Sequence, residues 1–240
     1  MGDSLTRAGA EHFLTMAQRL QWDVLVSRPR FIDTEGRPCN GPRWPLDEYS
    51  ETLAPDTAVN LPPLAVISAA LTLTTGAVTG SCASDLFRTA ILKQFPFPTE
   101  FGTAGDGAWS LQNAGRLRWA VTARQDTTFR RHPPTASAAE IQAGKNARRF
   151  EALAMMMVSD WLGRNSPSLT PSQVDGLKAL LAAAIAQEAD RDSYDVLRRQ
   201  AWPWILNPSA WATRARRNAH RRELAELKAK LLASVPVTNT

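Results

Sequence analysis

The distribution of helix breakers along this 240-residue chain divides it into two parts of different character. Most of the 16 prolines and 13 glycines lie in residues 1–138, where short β-like runs alternate with helical patterns. Residues 139–233 instead contain helical patterns separated by proline-marked breaks. Because Pro and Gly end regular elements, the first part can only be built from short strands and helices. We therefore predict an α/β region over 1–138 and an α-helical C-terminal extension over 139–240.

The composition is typical of a globular chain. Hydrophobic residues make up 44% and charged residues 21% of the sequence. The longest apolar run, 61–78, contains Pro62, Pro63 and three threonines, so it does not predict a membrane-spanning helix. The N-terminus lacks the apolar core of a secretory signal. Two cysteines, Cys39 and Cys82, do not form a disulfide framework, and we expect a reduced, cytoplasmic protein.

The net charge of +5 is concentrated in one segment. Residues 208–233 hold five arginines and two lysines against Glu223 and Glu226, which gives 7 − 2 = +5. The remainder of the chain is therefore neutral overall. Such a helix is either a solvated surface or a peripheral contact with anionic lipid headgroups at the inner membrane face. Nucleic acid is not an expected partner, since no aromatic residues alternate with the basic ones and no recognised module is present.

Local patterns in the first part predict individual elements. A helix is expected over 6–20, with an apolar face formed by Ala10, Phe13, Leu14, Ala17 and Leu20. Strands are expected over 22–27, 30–33 and 117–123, and a turn at 34–36. Residues 39–49 contain too many helix and strand breakers for either element, so they predict a loop. Residues 84–94 have helical spacing and predict a helix. The stretch AWSLQNAG predicts a short helix that ends at Gly115.

The C-terminal part carries clear helix-start signals. Thr170-Pro171-Ser172-Gln173 is a capping-box pattern with proline at the first helical position. An apolar face follows, formed by Val174, Leu177, Leu181, Ala184 and Ile185. Asn207-Pro208 predicts the start of the last helix. The stripe within 140–162 comprises Phe150, Leu153, Met157, Val158 and Trp161.

Common catalytic motifs are missing from the sequence. The three histidines lie far apart, and neither Cys-x-x-Cys nor His-Glu-x-x-His occurs, so zinc is not expected. The sequence also has no phosphate-binding glycine loop of either standard type and no Gly-x-Ser-x-Gly motif. These patterns give no support to a nucleotide-cofactor enzyme or a serine hydrolase.

One acid stands in an unusual setting. FGTAGDGAWSLQNAG (101–115) places Asp106 between Gly105 and Gly107, immediately before a helical run. The two glycines indicate a bent or closely approached backbone. An Asp at this place either caps the helix or presents its carboxylate as a general base. Spacing alone does not decide between the two roles.

Five stretches, taken in order, resemble bacterial family 2 glycosyltransferases. MGDSLTRAGAEHFL resembles the segment that starts at the acidic metal motif of that family, and WDVLVSRPRFIDTEGRP resembles the following strand, turn and D-x-x-G. TGSCASDLFRTAIL is similar to a helix that lines the acceptor site. AGDGAWSLQNAG resembles the Glu-Asp motif, with Gly105 at the Glu position, and TTFRRHPPTAS resembles the Arg-x-His segment. The resemblance covers about residues 1–137.

The resemblance implies a partial GT-A (nucleotide-diphospho-sugar transferase) fold and an enzyme of the hexosyltransferase kind, as in polysaccharide biosynthesis. It makes Asp106 the catalytic base for inverting transfer of a sugar to a carbohydrate or lipid-linked acceptor. Gly105 and Gly107 would let the backbone approach the substrates. Trp109 would be a platform for a sugar ring, or else a core aromatic of the short helix. Arg43 and Trp44 would contact the acceptor.

The same resemblance implies a donor and metal site. Asp3 is the surviving acid of the metal motif and would hold Mg²⁺ or Mn²⁺ against the donor diphosphate, in the complete protein only. The alternative for Asp3 is a residue near a helix cap. His132 and Arg130 would approach the diphosphate, and the alternative for His132 is a solvated side chain.

The resemblance starts at the metal motif, so the nucleotide-binding half of the fold is expected upstream of Met1 or not at all. We accordingly expect the 240-residue chain to be a fragment that is inactive on its own, or a short product that has lost catalysis. A different hypothesis makes it a non-catalytic interaction protein that uses 208–233 at an anionic membrane surface.

Overall fold

The computed structural model describes residues 4–72, 78, 84–131, 147–165, 169–200 and 208–234. The chain divides into two compact units, Met1–Gln142 and Ala143–Thr240. In the described residues the architecture is mixed α/β, with two small mixed sheets and flanking helices.

The first unit is a series of short elements, as the breakers require. In chain order they are β1 (Ser4–Leu5), α1 (Arg7–Arg19), β2 (Val24–Ser27), β3 (Arg30–Ile32), α2 (Asp47–Ser50), β4 (Ala58–Leu61), α3 (Pro63–Thr72), β5 (Leu86–Phe87), α4 (Thr89–Gln94), a 3-10 helix (Thr99–Ala104), α5 (Gly105–Asn113), β6 (Trp119–Thr122) and β7 (Thr127–Arg130).

Two sheets organise these elements. The larger has the order β4-β6-β2-β5, with β2 and β6 parallel at its centre and antiparallel strands on both sides. In the central pair Val24 lies opposite Trp119 and Ser27 opposite Thr122. The smaller sheet has the order β1-β7-β3, with β3 parallel and β1 antiparallel to β7.

The central strands form because their sequences are apolar on both faces. All four residues of β2 and all four of β6 are buried, as expected for a parallel pair covered on both sides. A buried acid fixes their register. The Asp23 carboxylate accepts hydrogen bonds from the Arg118 backbone N–H (2.9 Å) and from its guanidinium (2.9 Å), which joins the starts of both strands. The predicted strands at 22–27 and 117–123 are therefore present in slightly shorter form.

Helix α1 confirms the predicted helix, but not its whole buried face. Thr6 caps it by accepting a hydrogen bond from the Gly9 N–H at 3.0 Å. The face turned inward contains Gly9, His12, Phe13 and Met16. Leu14, predicted to be in the core, is 63% exposed. The inward face is rotated because His12 finds a buried hydrogen-bond partner in Thr122, so a polar residue occupies a core position.

Only part of the segment 84–94, predicted to be a helix, is helical. Leu86 and Phe87 form β5, paired antiparallel with β2, and the helix begins only at Thr89. Strand pairing prevails over the helical spacing of apolar residues here, because pairing gives the backbone N–H and C=O groups along the edge of β2 their hydrogen-bond partners. Similarly, α5 begins at Gly105, earlier than predicted, and a short helix (α2) occupies the end of the predicted loop 39–49.

The second unit contains three helices in its described residues: α6 (Ala147–Asn165), α7 (Pro171–Gln200) and α8 (Pro208–Ala233). Both predicted proline starts are confirmed. The capping box is also present, since the Thr170 N–H donates to Gln173 Oε1 (3.0 Å) and the Gln173 N–H to Thr170 Oγ1 (3.2 Å).

The predicted apolar faces of the second unit are largely correct. Four members of the α6 stripe, Leu153, Met157, Val158 and Trp161, are buried. On α7 the buried centre runs through Leu177, Leu180 and Ala184, a small rotation from the predicted face. Helix α7 packs against both α6 and α8. Among the described helices, none has the length and apolar character needed to cross a membrane.

Candidate functional site

Asp106 lies in the first turn of α5, half-buried. Its Oδ1 accepts a hydrogen bond from the N–H of Gly107 at 2.7 Å, and its backbone carbonyl accepts one from the Ser110 hydroxyl at 2.8 Å. The carboxylate therefore satisfies an amide at the start of its own helix. This contact is the capping role that the sequence left open, although Asp106 sits inside the helix rather than at the residue before it.

Burial gives the same carboxyl an unusual acidity. Desolvation raises the pKa of Asp106, and the hydrogen bonds from the backbone N–H groups of Gly107 and of Asp106 itself oppose that rise only in part. A carboxylate with a raised pKa is a stronger base at neutral pH. The residue thus combines a capping geometry with a pKa shifted in the direction that favours a general base.

Trp109 belongs to the core and not to a binding surface. The ring is 1% exposed, and its Nε1–H donates to the Phe95 carbonyl at 2.5 Å. It packs edge-on against Phe87 (5.3 Å between ring centroids) and Trp119 (6.2 Å). The structure therefore favours the core-aromatic alternative, and the sugar-platform role of Trp109 stays a prediction.

Gly105 has a packing reason to be glycine. A Cβ at this position would lie 2.9 Å from the Pro98 carbonyl oxygen, in the loop that enters the 3-10 helix. The close approach predicted for this backbone is therefore an approach to another part of the same unit. Gly107 is half-buried, and its N–H donates a hydrogen bond to the Asp106 carboxylate. Neither glycine contact requires a substrate.

Arg43 and Trp44, predicted to touch the acceptor, have structural partners. The Arg43 guanidinium donates to Glu51 at 2.5 Å. The Trp44 ring lies edge-on to Phe31 (5.3 Å) and Phe129 (6.2 Å), which ties the loop to the smaller sheet. Trp44 is half-buried, so part of its surface remains accessible.

Arg130, predicted to approach a diphosphate, supports a turn. Its guanidinium donates to the carbonyls of Asp33 (3.0 Å) and Thr34 (2.9 Å). The turn itself uses Gly36 at φ +85°, a left-handed conformation that glycine adopts without strain. The Asp33 carboxylate accepts from the N–H of Arg37 at 2.9 Å. The D-x-x-G segment is thus a turn that Arg130 stabilises through hydrogen bonds.

Asp3 and His132 lie outside the described residues, and so does Cys82. The predicted metal site at Asp3 therefore stays a prediction. Within the part of the chain that the structure describes, no three His, Cys, Asp or Glu side chains form a group that could hold a metal ion. The described residues do not supply a fit for Mg²⁺ or Mn²⁺.

An open groove of about 760 Å³ lies beside the smaller sheet. Its polar lining comes from Ser4, Arg28, Arg30, Asn40, Gln125 and Thr128. Arg28 is held by Glu51 at 2.6 Å and by Asp47 at 3.6 Å. Asp106 and Trp109 are not among the lining residues. The volume suits a small ligand, and the mixture of hydroxyl, amide and guanidinium groups suits a ligand rich in oxygen atoms.

Sequence reasoning missed this groove because its lining comes from strand ends and loops that are far apart along the chain. Of the predicted substrate contacts, Trp44 is in contact with the groove wall, since its ring packs on Phe31, a residue of that wall. The sequence contained one partial signal of the groove. The Arg-Pro-Arg sequence at 28–30, directly after an apolar strand, places cations where β2 ends.

A second feature missed by the sequence is a cluster of ionisable side chains around the buried His12 of α1. His12 Nε2 lies 3.2 Å from the Thr122 hydroxyl, at the end of β6. Arg124 binds Asp126 (2.7 Å) and Asp56 (3.2 Å) nearby. Burial is the main cause that lowers the pKa of His12, and the positive charge of Arg124 adds to it, against the opposing effects of Asp126 and Asp56. The net effect disfavours the imidazolium form of His12.

Comparisons with known proteins give no match of any of three kinds. No protein-family model, no curated protein and no solved structure matches this chain.

Proposed function

We propose that the first unit is part of the catalytic region of a nucleotide-diphospho-sugar glycosyltransferase with a GT-A-like fold, and that Asp106 is its general base. The observation that carries the proposal is the state of this carboxyl: half-buried, in the first turn of α5, with a pKa raised by burial. The order of the five sequence stretches supports the same class, as does the parallel pair β2 and β6 with helices around it.

In the proposed reaction, Asp106 accepts the proton of an acceptor hydroxyl. The acceptor oxygen forms a bond to the anomeric carbon of the donor sugar while the bond from that carbon to the diphosphate oxygen breaks. The nucleoside diphosphate leaves with the bonding electron pair, and the configuration at the anomeric carbon inverts. General-base assistance of this kind contributes about 10²- to 10⁴-fold to a rate.

Helix capping is the competing explanation for Asp106, and one pair of substitutions separates it from catalysis. Asparagine keeps an oxygen that can accept from the Gly107 N–H but cannot take a proton, whereas alanine removes both functions. If Asp106 is the base, Asp106→Asn lowers turnover about 100-fold or more with the melting temperature retained. If it only caps the helix, Asp106→Asn stays close to wild type and Asp106→Ala loses about 0.3–1 kcal/mol of stability.

The assay measures release of nucleoside diphosphate from a panel of nucleotide sugars by the protein purified from its natural source. Ser110→Ala is the matched control, because it removes a hydrogen bond to the same turn (2.8 Å) and leaves the carboxylate in place. We expect this control to retain turnover. Absence of transfer with every donor would count against the proposal.

A further inference from the structure

The smaller sheet carries a row of polar residues across its three strands. Ser4 of β1 lies opposite Thr128 of β7, and Thr128 lies opposite Arg30 of β3. Residues at opposite positions on neighbouring strands present their side chains on the same face of a sheet. Because neighbouring strands lie about 4.8 Å apart, this row places two hydroxyl groups and one guanidinium within about 10 Å along the face.

Surrounding chain segments turn this face into a groove. A polar sheet face ordinarily does no more than contact water. Here all three residues of the row line the groove of about 760 Å³, together with Arg28 and Pro29 before β3, residues 38–41 after it, and Gln125 before β7. The row therefore lies in a concave surface, which is the shape that small-molecule sites have.

The side chains of the row have no partner within the described part of the chain. No hydrogen bond there engages the hydroxyl of Ser4 or of Thr128, and the exposed Arg30 guanidinium forms neither a hydrogen bond nor an ion pair. Hydroxyl and guanidinium groups are all hydrogen-bond donors. The row thus offers several donors, on one face, to a single acceptor group.

The charges that line the groove are positive. Its lining contains two arginines, Arg28 and Arg30, and no acidic residue. Arg28 is paired with Glu51 at 2.6 Å and with Asp47 at 3.6 Å, and neither acid belongs to the lining. The charge of Arg28 is therefore balanced, whereas that of Arg30 is not.

A second unbalanced cation stands at the edge of the groove. The Arg131 guanidinium donates to the backbone carbonyl of Asn40, a groove residue, at 2.8 Å, and forms no ion pair with a described acid. The acids of the neighbouring turn are both paired, because Arg37 binds Asp33 (2.8 Å) and Glu35 (2.9 Å). An anion in the groove would thus meet two cations without a competing carboxylate in the lining.

We propose that this groove binds a small phosphate ester and that Arg30 holds its phosphate group. A guanidinium presents a rigid fork of N–H donors that matches two phosphate oxygens, and the hydroxyls of Ser4 and Thr128 donate to the same group. The groove is large enough for a ligand that extends beyond the phosphate. The amides of Asn40 and Gln125 suit a hydroxylated remainder.

This inference goes beyond the catalytic proposal and does not depend on it. No residue that lines the groove belongs to α5, the helix that carries Asp106. Binding of a phosphate ester is therefore measured without any transfer reaction.

The experiment is isothermal titration calorimetry of the full 240-residue chain with three probes. Glucose 6-phosphate is the phosphate ester, glucose is its phosphate-free match, and gluconate carries a carboxylate in place of the phosphate. We expect glucose 6-phosphate to bind with a Kd of about 1 mM or tighter, and more weakly when salt screens the arginines. Glucose should show no binding, and gluconate should bind at least about 10-fold more weakly, since a phosphate group carries more negative charge than a carboxylate.

Substitutions at the row test which groups hold the phosphate. Arg30→Gln removes the charge and the fork but keeps an amide donor, and should weaken binding of glucose 6-phosphate at least about 10-fold. Arg30→Lys keeps the charge without the fork and should bind between wild type and Arg30→Gln. Thr128→Val removes only the hydroxyl and should weaken binding several-fold.

The control removes an arginine charge elsewhere in the same unit. Arg19, at the end of α1, is exposed and does not line the groove. Arg19→Gln should bind glucose 6-phosphate within about twofold of wild type, and circular dichroism should confirm the fold of every variant, because Arg19, Arg30 and Thr128 are not buried.

Four results would overturn the proposal. The first is failure of the wild-type chain to bind glucose 6-phosphate, and the second is equally tight binding of glucose or gluconate. The third is wild-type affinity in Arg30→Gln, or an equal loss in Arg19→Gln. The fourth is binding of uridine diphosphate without binding of glucose 6-phosphate, which would assign the groove to a nucleotide.

Discussion

Single buried polar residues account for much of what holds the first unit together. Asp23 is the clearest case, because one carboxylate accepts backbone and side-chain hydrogen bonds from Arg118 and thereby links the starts of two parallel strands. Burial alone would raise the pKa of Asp23, but the hydrogen bonds and charge of Arg118 outweigh it and lower the pKa. Its stabilising effect is therefore present above the pKa of the unfolded carboxyl and is lost as the pH falls through the lower pKa of the folded state.

His12 gives a pH dependence in a different range. Its pKa in the folded state lies below the ordinary value of about 6.5, because burial and the charge of Arg124 disfavour the imidazolium. The unfolded chain therefore binds a proton more readily than the folded one as the pH falls below about 6.5. We expect the free energy of unfolding, measured by urea titration, to decrease from pH 7.5 to pH 5.5.

The substitution His12→Gln tests whether His12 is the cause. Glutamine can still hydrogen-bond to Thr122 but cannot be protonated in this range, so the decrease between pH 7.5 and pH 5.5 should become smaller. The carboxyls with lowered pKa values, Asp23 and Asp33, act at lower pH and leave this window unaffected. An undiminished decrease in the variant would assign the effect to other groups.

At the scale of elements, residues at the start of α7 stabilise the ends of two helices. Thr170 and Gln173 satisfy each other's backbone N–H groups, and the Gln173 amide also reaches the carbonyl of Ser234 at the end of α8 (3.0 Å). Gln173 is 7% exposed, so these hydrogen bonds are made away from water. One side chain thus caps one helix and fixes the end of another.

This arrangement predicts a ranking of stability losses. Thr170→Ala removes one side of the capping box and should cost about 1 kcal/mol. Gln173→Ala also leaves the Ser234 carbonyl without its partner, and should cost more, about 1–3 kcal/mol. Ser172→Ala, an exposed neighbour in the same turn, is the control and should change little. Urea unfolding followed by circular dichroism measures all three, and equal effects of Thr170→Ala and Ser172→Ala would show that the box contributes nothing.

The elements that the sequence predicted best are those defined by local chemistry. The capping box, the proline starts of α7 and α8, and the strands β2 and β6 need only neighbouring residues for their recognition. Strand β5 was read as helix, because Leu86 and Phe87 are strand only through pairing with β2. The packing of Trp109 on Phe87 and Trp119, and of Gly105 on Pro98, is likewise a tertiary contact that local spacing does not predict. For the groove, the Arg-Pro-Arg sequence at 28–30 was only a partial local signal.

For the whole molecule, the chain divides into two units, and the catalytic proposal uses Asp106 in the first of them. The charge follows the same division, because the net charge of the chain equals that of residues 208–233.

This division makes a prediction about folding. The second unit, Ala143–Thr240, has its own buried side chains on α6, α7 and α8, and roughly 100 residues is a common size for a domain that folds alone. Its helix contacts are close in sequence, and its capping box and the Gln173–Ser234 hydrogen bond both lie inside it. We therefore expect a fragment of residues 143–240 to unfold cooperatively, with the helical circular dichroism of three packed helices.

The variant Thr170→Ala tests this expectation by comparing the fragment with the full chain. If the unit is autonomous, Thr170→Ala should lower the free energy of unfolding of the fragment by the same amount, about 1 kcal/mol, as it lowers that of the second unit in the full chain. A gradual, non-cooperative melt of the fragment would mean that its helices need the first unit. A cooperative melt with no effect of Thr170→Ala would mean that the fragment adopts a different helix start, because the capping hydrogen bonds at 3.0 and 3.2 Å are what this residue contributes.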